Sequence, residues 1–327
     1  MELGLLPGTL FQALPLRVFG IMQNDILLAI PFFTLMGLVL ERSGMAEDLL
    51  DTAGQVFGPV RGGLALAVIF VGALLAATTG VVSASVISMG LISLPIMLRY
   101  GYSRPIACGA ITASGTLAQA IPPSLVLIVM ADQLGRSVGD MYKGAFLPAF
   151  ILVSMYALFI IGVAIFRPKL VPALPPEALK FRQPDGSSGL RSLVVFGVLI
   201  ALATIGFAGI YPQLSGSAVP PGREEVAVVA LTFGTALALV LAGINKLLGL
   251  GLLSRISERV TFVLVPPLAL IFLVLGTIFL GIATPTEGGA MGALGALLMA
   301  LARRRLSFGK LVEALEATTK LSVFGMF

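Results

Sequence analysis

Histidine and tryptophan are absent from the 327 residues, and Cys108 is the only cysteine. A single cysteine excludes a disulfide within the chain and argues against a thiolate metal site, and without histidine there is no imidazole ligand. Charged residues are also scarce, at 11% of the chain. In an ordinary soluble domain, roughly a quarter of the residues are charged, so this composition excludes such a domain.

Hydrophobic residues make up 57% of the chain, and the mean hydropathy is +1.04. A transmembrane helix needs about 20 residues, and uncharged runs of that length or more recur along the sequence. They cover 62–98, 105–131, 144–166, 192–222 and 226–245. A further stretch, 260–302, contains only Glu287 as a charged residue. We therefore predict an all-α, polytopic integral membrane protein.

The loops between the apolar runs carry the basic residues. Five Lys or Arg lie in 167–191, three in 246–259 and four in 303–310, whereas 211–225 contains only Arg223. Since positive loops stay in the cytoplasm, the first three loops are predicted inside and the fourth outside. The net charge of +5 is thus explained by membrane orientation, and no nucleic-acid partner is expected.

The loop 167–191 is also rich in proline, glycine and serine, and we interpret it as a mobile cytoplasmic linker. It divides the chain into a first membrane half, residues 1–166, and a second half, residues 192–327.

A cluster of small and hydroxyl-bearing residues occupies the centre of 62–98. The run is long for one span and short for two spans with a turn, so it favours a re-entrant hairpin of two half-length helices. Its candidate tip residues are Thr79, Gly80, Ser83 and Ser85. Two ordinary short spans, with hydroxyls bonded to their own helices, are the alternative.

Two adjacent prolines interrupt the apolar run 105–131, which predicts a broken helix there. An unwound centre would offer uncharged hydroxyl and carbonyl oxygens, which suit a sodium ion, and helix amides, which suit a carboxylate. The candidate residues are Ser114, Gly115, Thr116, Ala120, Pro122, Pro123 and Ser124, of which Ser114, Thr116 and Ser124 are candidate sodium ligands. The alternative is a proline kink that only bends a helix.

The third irregular stretch is Gly281–Leu297, which contains Thr284, Pro285, Thr286 and Glu287. A carboxylate inside a membrane is a functional candidate, so Thr284, Thr286 and Glu287 are candidate binding residues. Alternatively these residues form a loop at the outer surface in which Glu287 is solvated. The glycines that follow favour close helix packing. Whether 260–302 is one hairpin or two spans stays open.

Four motifs carry a family resemblance: AIPFFTLMGLVLERSGMAEDLL (Ala29–Leu50), TTGVVSAS, SGTLAQAIPPS and ATPTEGGA. In this order they resemble the large membrane subunit of tripartite ATP-independent periplasmic (TRAP) transporters. The long insert between the last two motifs is similar to the branch labelled for mannitol or chloroaromatic compounds. Family members extend further at both ends, so the resemblance implies an incomplete chain.

The resemblance also implies a function. A TRAP large subunit would be a sodium-driven importer of organic acids in the bacterial inner membrane, with an elevator-type fold and no cofactor other than the coupling ion. It would work with a small four-helix membrane subunit and a periplasmic substrate-binding protein. The hairpin tip and the unwound helix named above match the family pattern.

Three other functions are an intramembrane protease, a channel or facilitator, and a permease driven by a separate ATPase. An intramembrane serine protease at Ser114 would need a base, but histidine is absent and no lysine lies between Thr112 and Met130. We therefore expect no enzyme activity. An ion channel or facilitator stays open, because polar breaks also line pores. A permease subunit driven by a separate ATPase stays open as well.

Overall fold

The computed structural model describes residues 9–79, 82–178, 189–214, 221–249 and 253–326. These residues form α-helices joined by turns and short 3₁₀ segments, and no strand occurs among them. The helices are α1 (Thr9–Met22), α2 (Ala29–Arg42), α3 (Met45–Phe57), α4 (Gly63–Thr79), α5 (Val82–Arg99), α6 (Arg104–Thr116), α7 (Leu125–Gln133), α8 (Val138–Phe166), α9 (Leu190–Leu214), α10 (Arg223–Leu248), α11 (Arg255–Phe279), α12 (Pro285–Ala302) and α13 (Phe308–Met326).

Five segments of the described residues are long and apolar enough to cross a bilayer. They are Ala13–Arg42, Val138–Phe166, Leu190–Leu214, Arg223–Leu248 and Arg255–Phe279. The prediction of an all-α polytopic membrane protein is therefore confirmed.

The stretch 260–302 belongs to two helices, α11 and α12, rather than to one. Each begins at a hydroxyl cap: Ser254 accepts from the Ser257 amide at 3.2 Å, and Thr284 accepts from the Glu287 amide at 3.3 Å. Between them Gly281 has φ of +69°, a left-handed conformation that glycine adopts without penalty and that ends α11. A hairpin and two spans both consist of two such helices, so the choice between them stays open.

Helix α2 lies at the centre of the fold and packs against α4, α12 and α13. Glycines on α12 allow its close approach, because a Cβ on Gly292 would lie 2.6 Å from the sulfur of Met36 and one on Gly289 would lie 3.1 Å from Cβ of Phe32. The predicted close packing of this glycine run is thus present. It joins the second half of the chain to the first, so both halves share one hydrophobic core.

The outer helices are exposed. None of the α9 residues is buried, and only 11% of the apolar part of α8 is buried. Their surfaces carry large apolar side chains such as Phe159 and Ile205, which is the pattern of helices that face lipid or another membrane protein.

The start of the linker is attached to the base of the α4–α5 hairpin. Leu174 donates from its amide to Gly58 at 2.9 Å, and the amides of Gly62 and Ser103 donate to Val171 and Leu170 at 3.0 Å. This part of the predicted mobile linker is therefore held by backbone hydrogen bonds. Residues 179–188 lie outside the described residues.

Ion pairs join α2 and α3 to α13 and to the basic loop 303–310, which the charge pattern predicts on the cytoplasmic side. Asp48 on α3 pairs with Arg305 at 2.9 Å and with Arg303 at 3.5 Å. Arg42 at the end of α2 pairs with Glu313 on α13 at 2.7 Å. Ion pairs near the surface stabilise a fold by only about 0–1 kcal/mol each. Their main consequence is that they hold these segments together on one side of the molecule.

Candidate ion and solute site

The helix predicted to break over 105–131 is broken in the structure. α6 ends at Thr116, a 3₁₀ turn follows over Leu117–Gln119, and α7 begins only at Leu125. Pro122 and Pro123 lie in this gap, where they cannot donate backbone hydrogen bonds that would continue the helix. We call residues 116–124 the break.

The hydroxyls near the break bond to the local backbone. Ser114 donates to the Ile111 carbonyl at 2.9 Å, Thr116 to the Ala113 carbonyl at 2.8 Å and Ser124 to the Gln119 carbonyl at 2.8 Å. Ser114 and Ser124 are fully buried, whereas Thr116 is exposed. A hydroxyl that donates still has lone pairs on its oxygen, so each of the three could also coordinate a cation, and their role as sodium ligands stays a prediction.

The break also leaves carbonyls and amides without helical partners. The carbonyls of Ala120 and Ile121 accept no hydrogen bond from any described residue. On the other side, Ser124 has extended backbone angles at the start of α7, and its side chain does not cap the helix. The first amides of α7 therefore lack intrahelical acceptors. Carbonyl oxygens that could coordinate a cation and amides that could donate to an anion thus lie within a few residues of each other.

The hairpin packs directly on the broken helix. Both α4 and α5 contact α6 and the 3₁₀ turn at Leu117–Gln119. A Cβ on Gly72 of α4 would lie 2.4 Å from Cβ of Ser114, and a Cβ on Gly115 would lie 2.2 Å from Cγ2 of Val86 on α5. Only glycine allows these approaches, so the structure brings together the two elements that were predicted to form the site.

The run 62–98 forms two helices, α4 with 17 residues and α5 with 18, and each is shorter than the about 20 residues of a full span. A re-entrant hairpin and two short spans both fit these lengths, so the re-entrant hairpin stays a prediction. Of the tip candidates, Ser85 is buried on α5; Gly80 and the side chains of Thr79 and Ser83 lie outside the described residues. Their role and the tip's depth stay predictions.

The third candidate cluster lies elsewhere in the fold. Thr284 and Glu287 form a capping box at the start of α12, in which the Glu287 carboxylate accepts from the Thr284 amide at 2.8 Å. Thr286 donates to the Asp25 carbonyl at 2.5 Å, and neighbouring Asn24 donates to Asp132 at 2.6 Å.

Asp132 is near the end of α7, whereas the break is at its beginning. Glu287 is also fully exposed. The geometry therefore supports the alternative in which this cluster forms an outer loop, and the binding role of Thr284, Thr286 and Glu287 stays a prediction.

Two residues near these elements were not predicted from the sequence. The Glu41 carboxylate at the end of α2 accepts a hydrogen bond from Ser88 on α5, and its other oxygen is buried without a partner among the described residues. Tyr142 on α8 is completely buried, and its hydroxyl faces the Ser124 backbone. Neither has a local sequence signal, because both act through contacts with distant parts of the chain.

A cavity of about 400 Å³ lies at the base of the hairpin, between α3, α4, α5 and the start of the linker. Apolar residues such as Leu64 and Ile92 line it together with the charged residues Glu47 and Arg99. It lies next to the ends of α4 and α5 that are remote from the tip, and the break does not line it.

Comparison with known families gives a match over almost the whole chain. The family described as "Tripartite ATP-independent periplasmic transporter, DctM component" matches residues 3–327. A similar protein is the C4-dicarboxylate TRAP transporter large permease protein DctM of Pseudomonas aeruginosa, 33% identical over 68% of this chain and 49% of the relative. The protein of that name from Vibrio cholerae is 36% identical over 52% of this chain and 38% of the relative.

Another relative is the ectoine TRAP transporter large permease protein TeaC of Halomonas elongata, 29% identical over 55% of this chain and 39% of its own length. The chain thus spans about half or less of the length of these curated relatives.

Proposed function

Because the chain belongs to the family of TRAP transporter DctM components, the large permease subunits, we propose that it couples sodium to the import of an organic acid. A permease subunit is not an enzyme, and the chain is a multi-pass membrane protein. The observation that carries the proposal is the break in α6–α7, which lies against the hairpin with two fully buried serines beside it. The bacterial inner membrane is its proposed location.

Sodium is the proposed coupling ion because the oxygens at the break are neutral and numerous. Ser114, Thr116 and Ser124 would contribute hydroxyl oxygens, and the unpaired carbonyls of Ala120 and Ile121 would contribute the rest. Unwound backbone in membrane helices holds sodium in this way. The ion would link the broken helix to the hairpin, and the joined unit would then be compact enough to move across the membrane.

A carboxylate is the proposed solute group because the first amides of α7 are positive in character and uncapped by Ser124. The relatives named for C4-dicarboxylates support this class of solute. Sodium and solute at one break would each favour the binding of the other, which is the coupling that transport requires.

The test of the sodium site uses the complete transporter in proteoliposomes. Ser124→Ala and Thr116→Val each remove one oxygen, so each should raise the sodium concentration for half-maximal uptake about tenfold or more. Thr235→Val is the matched control, since Thr235 on α10 makes an equivalent hydrogen bond to the Thr232 carbonyl at 2.9 Å. An unchanged sodium dependence in both site variants would contradict the sodium assignment.

We also propose the two partners of a TRAP system, a small four-helix membrane subunit and a periplasmic substrate-binding protein. Accumulation against a concentration gradient should then require both partners and an inward sodium gradient. If the isolated chain only equilibrates solute across the membrane, and its uptake does not depend on the sodium gradient, it is a channel or facilitator instead.

A further inference from the structure

Tyr142 is the fifth residue of α8 and has no exposed surface. Its phenolic hydrogen has no acceptor among the residues that the structure describes. A buried hydroxyl without a partner is unfavourable, because it has lost its hydrogen bonds to water. Such a group indicates that a partner from outside the chain completes its hydrogen bonding.

The Tyr142 hydroxyl faces the backbone of Ser124, the residue at the start of α7. The Ser124 side chain is occupied by the Gln119 carbonyl at 2.8 Å, so it does not cap α7. A helix of nine residues therefore begins with free amides just after Ser124, whose backbone the phenolic hydroxyl faces. The amides and the hydroxyl are all hydrogen-bond donors.

The sign of the local field decides which ligand they suit. The start of a helix is positive in character, which disfavours a cation and favours an anion. A carboxylate oxygen can accept from a helix amide and from a phenol at the same time.

We propose that Tyr142 is a solute-binding residue whose hydroxyl donates a hydrogen bond to a solute carboxylate held by the first amides of α7. This inference rests on the proposed function and deepens it, because it assigns the carboxylate to one side of the break and leaves the opposite side, with its carbonyls, to sodium.

The central test is Tyr142→Phe in the complete transporter, with uptake measured for succinate, pyruvate and benzoate. For the acid that wild type takes up fastest, the concentration for half-maximal uptake should rise roughly tenfold or more, since the bond is to a charged group. At saturating solute, the sodium dependence and the maximal rate should stay near wild type. An unchanged half-maximal concentration would overturn the assignment of Tyr142.

A stability measurement separates binding from a structural role. Tyr142→Phe removes a hydroxyl whose hydrogen has no acceptor, so the unfolding temperature of the purified chain without solute should stay equal or rise. Tyr102→Phe is the control, because the buried Tyr102 hydroxyl accepts from the Leu64 amide at 3.2 Å and its loss should lower that temperature. A decrease for Tyr142→Phe as large as that for Tyr102→Phe would mean that the hydroxyl is structural and would overturn the proposal.

A second pair of variants tests the amides. Leu125→Pro removes the first amide of α7 at a position where proline is tolerated, and Ser124 before it already has the extended conformation that proline requires. Leu125→Ala removes the same side chain but keeps the amide. The half-maximal concentration of the carboxylate should be several-fold higher for Leu125→Pro than for Leu125→Ala.

Equal values for the Leu125 variants would show that no carboxylate lies at this helix start, which overturns the proposal. Wild-type uptake of mannitol with no uptake of any of the three acids would instead overturn the proposed function, and the Tyr142 assignment with it.

Discussion

Individual glycines set the distance between the hairpin and the broken helix. Gly115 on α6 lies so close to Val86 that a Cβ would meet its Cγ2 at 2.2 Å and its Cα at 3.2 Å. Because the Cα atom belongs to the backbone, rotation of the Val86 side chain alone cannot make enough room. The contact between the two elements of the site therefore depends on the absence of a side chain at position 115.

Gly115→Ala should destabilise the protein by about 1–3 kcal/mol, because it overpacks this contact. The measurement is the unfolding temperature of the purified chain in detergent. Gly109→Ala is the control on the same helix, where a Cβ would meet nothing within 4 Å. It should stabilise by up to about 1 kcal/mol through helix propensity. Equal behaviour of the two variants would contradict the close packing of α5 on α6.

Glu287 offers a second prediction at the scale of a residue. Glu287→Gln should leave the sodium dependence and rate of uptake unchanged, because the side chain acts as a cap in the structure. Its effect on stability should be no more than about 1 kcal/mol, since glutamine can also form a capping box. Loss of uptake with normal protein levels would restore Glu287 as a binding residue.

Residues with a local signal could be predicted from the sequence, and residues that act at a distance could not. The hydroxyls and prolines of the break stand out because polar groups are rare in an apolar run. Tyr142 lies 18 positions after Ser124, and Glu41 lies 47 positions before Ser88. Nothing in their own neighbourhood indicates that they meet the break and the hairpin, since only the packing of the helices brings them there.

At the scale of helices, a pair of prolines does not by itself decide whether a helix breaks. Pro122 and Pro123 lie in the gap between α6 and α7, whereas Pro266 and Pro267 lie inside continuous α11. The sequence around the first pair also contains small and polar residues, which weaken the helix further. The run 62–98 predicts two helices of about half its length, and α4 and α5 have 17 and 18 residues.

The arrangement of α11, α12 and α13 predicts which loops face each side of the membrane. In a variant whose Cys108 is replaced by alanine, a cysteine at Ile282 should react only with a thiol reagent added outside. A cysteine at Phe308 should react only when the reagent reaches the cytoplasm. Both side chains are exposed, at 72% and 82%. These outcomes hold if α11 and α12 are two spans; labelling of both from the same side would instead mean that 260–302 is a hairpin.

At the scale of the whole molecule, the two halves of the chain form one body around α2. α12 and α13 pack on α2 although more than 200 residues separate them in sequence. The loop charges predict the order of spans and the side of each loop, but they contain no information on which spans touch. The close glycine contacts and the ion pairs of Asp48 and Arg42 show which helices touch, but these contacts are visible only in the folded structure.

The central claim is that the break couples a sodium gradient to solute movement. Replacing Pro122 and Pro123 together by alanine should let α6 and α7 join, so that the carbonyls of Ala120 and Ile121 bond within the helix instead of to sodium. The control replaces Pro266 and Pro267, which lie in a helix that is already continuous.

The most direct measurement is accumulation of the organic acid by the complete transporter in proteoliposomes under an imposed sodium gradient. We expect the Pro122/Pro123 variant to insert normally but no longer to accumulate solute, whereas the Pro266/Pro267 variant should still accumulate it. Accumulation at the wild-type level by the Pro122/Pro123 variant would contradict the central claim and would leave the break as a bend in a membrane helix.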